Sequence, residues 1–152
     1  MATVEQVQAK LTALINNLSP QARRQLARNI GQALRKSQQA RIARQQNPDG
    51  TAFEPRKPQK QFGKKKGRIK RKAMFAKLRT AKYLKVRSNG NEVSVGFNGS
   101  SATIANVHQY GLQGTVNKNK GIKVQYAQRE LLGFSESDVE LIENLIIEQL
   151  SF

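Results

Sequence analysis

Side-chain catalysis needs a base, a nucleophile or a metal cluster, and in these 152 residues the material for each is sparse. His108 is the only histidine, and there is no cysteine. A lone imidazole can serve as a general base, but without thiolates beside it, it makes a poor zinc site. Its place in His108-Gln109-Tyr110-Gly111 reads as a structural or interface histidine. Asp49 lies in Asn47-Pro48-Asp49-Gly50, where the residue type first signals a turn. A nuclease using Asp49, Glu54 and neighbouring lysines would need an acid cluster to hold its metal, and none is recognisable. Glu130, Glu136, Asp138, Glu140 and Glu143 fall on or beside a helical pattern, where solvated or subunit-contact roles are the default. There is no phosphate-cradling glycine loop. The expectation is a protein that is not an enzyme, with no catalytic residue, no metal and no cofactor.

The strongest chemical signal is instead cationic. Lys64, Lys65, Lys66, Arg68, Lys70, Arg71 and Lys72 crowd into one short stretch. Such a run can neutralise phosphates and release counterions without reading sequence, or it can dock on an acidic neighbouring subunit. Both readings stay open. Base-specific readout is not expected, because no helix-turn-helix, zinc finger or aromatic-interleaved RNA motif is evident. Tyr83, Phe97, Tyr110 and Tyr126 fall at positions that suit core packing.

The elements that must position these groups follow from periodicity. Val4, Val7, Leu11, Leu14, Ile15 and Leu18 recur at helical spacing. Ser19-Pro20 then supplies an N-cap and a proline at the first helical position. The second helix carries Ala22, Leu26, Ile30, Ala33, Leu34 and Ile42, with Arg23, Arg24, Arg28, Arg35, Lys36, Arg41 and Arg44 on its other face. It should stop near Gln46, before the NPDG turn signal. Residues 51–72 hold two prolines, two glycines and the lysine run, which predicts a mobile basic loop. Ala73–Ala81 reads as a short helix with Met74, Phe75 and Leu78 inward.

Tyr83–Arg87 and Val93–Phe97 alternate around Ser88-Asn89-Gly90-Asn91, a hairpin whose Asn-Gly suits positive φ. Ser100–Tyr110 reads as a helix with Ile104, Val107 and Tyr110 on one side, ended by Gly111. Residues 114–121 read as a second polar, basic loop, and Ile122–Tyr126 as a third strand. Ser135 opens the last helix, with Asp138 as a capping-box-like acid. Its apolar set, Val139, Leu141, Ile142, Leu145, Ile146, Ile147 and Leu150, is wide enough to meet something beyond its own domain. The fold class is α+β. A small antiparallel sheet, a hairpin plus one or more strands, packs with long N-terminal and C-terminal helices, in one domain over residues 1–152. No apolar run is long enough to span a bilayer, and no secretory signal is seen at the N-terminus, so no membrane partner is expected.

Charge is segregated along the chain. The formal net charge is +17. Pro20–Ser88 holds 22 Lys and Arg against Asp49 and Glu54, a net of +20, whereas Ala127–Phe152 holds Arg129 against six acids, a net of −5. A nucleic-acid binder has little need of the acidic end. A protein that packs head to tail against its own copies can use both. Glu136, Asp138, Glu140 and Glu143, with Leu141 and Leu145, are therefore expected at a subunit interface.

The order of motifs resembles the phage virion morphogenesis family, the tail completion proteins of contractile-tailed temperate phages of the Mu-like and related kinds. The resemblance is carried by Asn47-Pro48-Asp49-Gly50-Thr51 with Phe53 and Pro55, by Phe75–Arg79 and Tyr83–Lys85, and by Val95-Gly96-Phe97. Its most specific parts are Ile104–Gly111 (IANVHQYG) and Arg129–Ser135 (RELLGFS). Phe53 stands where the family more often has Trp, and the lysines of 64–72 are unusually many. The resemblance implies a structural protein of the neck or tail end, needed for tail completion and head–tail joining. It further implies a homo-oligomeric ring, six-fold by the symmetry of phage tails, as in a tail terminator. The implied partners are neck, tail tube and sheath proteins, with DNA in the lumen as a further contact. The implied location is the virion, with assembly in the host cytoplasm. A non-specific DNA-binding protein of genome packaging or regulation is the alternative.

Overall fold

The computed structural model describes residues 4–56, 73–117 and 121–150. Helix α1 spans Val4–Asn16 and α2 spans Pro20–Ala43. Strands β1 (Leu84–Ser88) and β2 (Val93–Phe97) follow, then α3 (Ser100–Tyr110), β3 (Gln113–Asn117), β4 (Ile122–Gln125) and α4 (Glu136–Leu150). The α+β reading holds. The strands, however, form two separate two-stranded sheets, β1-β2 and β3-β4, where one small sheet was expected. Residues assigned to a polar loop before Gly121 supply β3, which pairs antiparallel with β4 in the register Gln113↔Gln125 and Thr115↔Lys123. A polar, glycine-containing strand that needs only one partner carries little apolar alternation, so periodicity misses it.

The chain gathers into two compact units. The first comprises Met1–Lys36, Val86–Val95 and Glu136–Phe152. Ser19 caps α2, its hydroxyl accepting from the Ala22 amide at 3.1 Å, and Pro20 follows at the first helical position. Leu26, Ile30 and Leu34, one helical stripe, are buried. Ile15, Leu18, Val93, Val95, Ile142, Leu145 and Ile146 pack around them. Each fully buried aliphatic contributes on the order of 1.5–3 kcal/mol. Gly31 lies where the hairpin approaches: a Cβ there would meet Val86 Cγ1 at 2.3 Å and Val93 Cγ2 at 2.8 Å. The hairpin turn departs from expectation. Neither Asn89 nor Gly90 takes positive φ. The Asn89 side chain closes the turn instead, its Oδ1 accepting from the amides of Asn91 (2.7 Å) and Glu92 (2.9 Å).

The second unit comprises Ser37–Lys85 and Gly96–Ser135. Its core is Ile42, Phe53, Met74, Ala105 and Leu131, with Phe75, Leu78 and Phe97 against it. Helix α2 ends at Ala43, before the expected Gln46, through a Schellman arrangement. Gln45 sits at φ 58°, its amide donates to Ile42 O at 2.9 Å, and the Gln46 amide donates to Arg41 O at 3.3 Å. The NPDG turn then forms as read, with Gly50 at φ 90°. Asp49 Oδ1 accepts from the Thr51 hydroxyl and amide at 2.5 and 2.9 Å, which holds this carboxyl below its ordinary range.

Two further expectations change here. Residues 51–56 belong to the fold and not to a loop: Ala52 bridges to Gln46, and Phe53 is 4% exposed in the core. The rest of the predicted mobile loop lies outside the described residues. Residues 73–81 form successive turns and no helix. Phe75 at φ 67° breaks the helical run, and its ring gains a place against the core in exchange.

Candidate functional site

The two most specific motifs, IANVHQYG and RELLGFS, meet in the second unit, held by polar side chains that grip backbone. Gln109 pairs with both groups of Leu132: Nε2 donates to its carbonyl at 2.8 Å and Oε1 accepts from its amide at 2.9 Å. Gln45 does the same to Met74, at 2.9 and 2.7 Å. A side-chain amide used this way satisfies a donor and an acceptor together, where a loop has no strand to pair with. Asn47 Oδ1 accepts from the Glu130 amide at 2.9 Å.

Arg41, read from sequence as part of an exposed basic face, is 3% exposed. Its guanidinium donates to the carbonyls of Gln46 (3.0 Å), Glu130 (2.9 Å) and Leu131 (2.9 Å), and to Gln38 Oε1. Gln38 in turn accepts from the Gly133 amide at 3.2 Å. Arg129, also buried, donates to the carbonyls of Glu54 (2.7 Å) and Pro55 (3.1 Å), and its own amide donates to His108 O at 2.8 Å. These arginines bind main-chain carbonyls, which a planar fork suits. Leu131 between them is fully buried, and a Cβ on Gly133 would meet Pro48 Cγ at 2.4 Å. The motifs RELLG, HQYG and NPDG are thus one interlocked structure.

His108 is half-buried, with ring centroids of Phe75 and Tyr126 at 4.9 and 4.7 Å. Burial, then the positive charges of Arg129 and Arg56, hold its pKa below the ordinary histidine value. Its Nδ1 has no partner among the described residues. The cleft beside it also takes in Pro55, Tyr83 and Ile104. Among the described residues no group of three or more His, Asp or Glu could hold a metal ion.

What the second unit offers outward is apolar. Tyr110 and Phe134 are 63% and 68% exposed. With Phe97 and Leu132 they flank a shallow groove over Ala102 and Ala105. Tyr110 was expected to suit the core, but it is exposed, as is Ile104, and Ser101 and Ala105 are the buried residues of α3. Small residues let the helix lie close on the core, which turns the large ones outward.

The first unit offers α4. Glu136, Glu140 and Glu143 are exposed there, and Val139 and Ile147 remain 45% and 51% exposed. Leu141 is half-buried, and Leu145 packs into the core of this unit. Asp138 departs from the expectation of an exposed acid: it is 1% exposed. The basic run Lys64, Lys65, Lys66, Arg68, Lys70, Arg71 and Lys72 lies outside the described residues. Charge divides by unit. Among the described residues the first holds seven Lys and Arg against seven Asp and Glu, and the second nine against three. Among the described residues of the first, no ion pair is seen at Glu136, Glu140, Glu143 or Glu148, nor at Arg24, Arg28, Lys36 or Arg87.

Polar clamps spent on backbone and aromatics turned outward suit a structural protein of an assembly. The chain belongs to the phage virion morphogenesis family, whose sequence model matches residues 2–151. It is similar to tail completion protein S of Escherichia phage P2, with 46% identity over 142 residues, covering 93% of each chain. No solved structure matches it.

Proposed function

We propose that this protein completes the tail of a bacteriophage, as a structural component of the virion and not as an enzyme. Copies assemble in the host cytoplasm, close into a ring at the neck end of the tail, and join tail to head. The six-fold number follows the symmetry of contractile tails. The observation that carries the reading, beside membership of the family, is the division of charge. Among the described residues one unit is neutral, with Glu136, Glu140 and Glu143 exposed on α4, and the other holds nine Lys and Arg against three acids. Unlike patches on one molecule favour heterologous contacts, which close into rings. Neck, tail tube and sheath proteins are the other partners.

The test is electron microscopy of tails from a virus lacking this gene, with light scattering on the purified protein. Incomplete tails that do not join heads, restored by the protein, are expected. Normal virions without it would sink the proposal.

A second reading has its own observation. A formal net charge of +17 suits phosphate contact in the lumen, or packaging and regulation. Binding to duplex DNA should then weaken steeply with salt and show no sequence preference. Salt-insensitive binding would argue against it.

A further inference from the structure

We infer that helix α2 of one copy docks on helix α4 of the next through two rows in matching register: Arg24, Arg28, Gln32 and Lys36 against Glu136, Glu140, Asn144 and Glu148. This rests on the reading that copies associate, and it deepens it by naming both surfaces and the direction in which they meet.

Each row is a ridge on its helix. Its members stand at i, i+4, i+8 and i+12, which places them along one side over about 18 Å. All eight are exposed. The core of the first unit takes the other sides of both helices, through Leu26, Ile30 and Leu34 of α2 and Ile142, Leu145 and Ile146 of α4. The rows are therefore turned away from their own unit. Among the described residues no ion pair is seen at any of their charged members.

Folding alone does not account for this composition. A helix that serves only its own stability gains by placing opposite charges three or four apart, whereas like charges at that spacing repel. Helix α2 instead carries six Lys and Arg and no Asp or Glu over 24 residues, with no acid in its first turn, where the helix dipole favours one. Helix α4 carries five Asp and Glu and no Lys or Arg over 15 residues. Each helix supplies what the other lacks. The acidic row also argues for a second copy as the occupant of the basic one, because a nucleic-acid surface has no use for it. Among its described residues the first unit balances seven Lys and Arg against seven Asp and Glu.

The third position settles the direction. With the rows parallel, Arg24 meets Glu136, Arg28 meets Glu140, Lys36 meets Glu148, and the amides of Gln32 and Asn144 meet each other. Gln32 Oε1 already accepts from Arg35 at 2.9 Å, and its amide nitrogen remains for Asn144. With the rows antiparallel, Arg28 would face Asn144 and Glu140 would face Gln32, so two charges would lose their partners. Rows of this i, i+4 kind lie alongside each other when the helix axes cross at about −50°. Exposed ion pairs are individually weak, so the contact sets partner and register more than strength. Basic and acidic rows are different patches, so each copy offers one of each and the contact repeats from copy to copy.

Reversing one row should break the contact, and reversing both should restore it. Three chains are supplied to cells infected by a virus lacking the gene. The first carries Arg24→Glu, Arg28→Glu and Lys36→Glu, the second Glu136→Lys, Glu140→Lys and Glu148→Lys, and the third all six. Thermal unfolding of each purified chain separates folding from assembly. Incorporation into finished tails should fall roughly tenfold for either row alone and return to within about threefold of the parent with both. Six substitutions no better than three would overturn the docking. So would a basic-row chain that loses duplex DNA binding while the acidic-row chain assembles normally, the outcome of a nucleic-acid surface. A second measurement leaves the charges in place. The chain has no cysteine, so Gln32→Cys and Asn144→Cys are expressed as separate chains, and finished tails are treated with a short bismaleimide. A 32–144 dimer, which can form only between copies, is expected. Several copies per tail without that product would overturn the docking while leaving association intact. A single copy per tail would overturn both.

Discussion

At the residue scale, burial converts two arginines from surface charge into framework. Arg41 reaches three carbonyls and one amide oxygen from a single guanidinium. An ammonium cannot match that fork. Arg41→Lys should therefore destabilise the fold by about 2 kcal/mol, and Arg41→Met by about 3 kcal/mol, because buried acceptors are left unsatisfied. Urea denaturation checks this, and an unchanged midpoint for Arg41→Met would contradict it. His108 makes the second case. Its folded pKa lies below the ordinary value near 6.5, so the unfolded chain binds its proton first. The contribution of neutral His108 is complete above that value. It is lost as pH falls from about 6.5 toward the folded pKa, with a slope of at most about 1.4 kcal/mol per pH unit. His108→Gln should flatten the stability profile in that window. A slope equal to that of the parent would show that other groups cause it.

At the scale of elements, close approach outweighs intrinsic preference. Gly31 lies inside α2, where Ala is favoured by about 1 kcal/mol. Its Cβ would nevertheless enter Val86 and Val93 at 2.3 and 2.8 Å. Overpacking of that kind costs roughly 1–3 kcal/mol. Gly31→Ala should be net destabilising by about 1 kcal/mol in thermal unfolding, whereas a gain in stability would mean the hairpin yields easily. The same logic governs 73–81. The residues AMFAKLRTA favour helix locally, but Phe75 adopts φ 67° to reach the core, so tertiary packing overrides the local signal.

At the scale of the whole molecule, the charge map sets the assembly prediction. Glu140 and Glu143 are exposed and make no ion pair among the described residues, so reversing both to Lys should leave stability within about 0.5 kcal/mol. Incorporation into tails should fall at least tenfold, since orientation against a positive neighbour is lost. Quantitative protein analysis of purified particles measures it. Normal incorporation with unchanged stability would remove electrostatic orientation from the account.

By itself the sequence determined whatever is written in local periodicity, capping and motif order. The caps and core stripe of α2, the NPDG turn, the alternation of Val93 and Val95, the glycine stop at Gly111 and the family itself were all legible. Only the tertiary structure decided which side chains a segment would meet. Arg41, Gln38, Gln45 and Gln109 look like solvated polar residues in sequence because their partners are carbonyls and amides, in most cases of residues many positions away, and backbone carries no residue-type signal. Asp138 and Tyr110 exchange their expected places for the same reason. Burial of a side chain belongs to the surface packed over it, and spacing along one helix gives its direction only when the neighbouring surface is known.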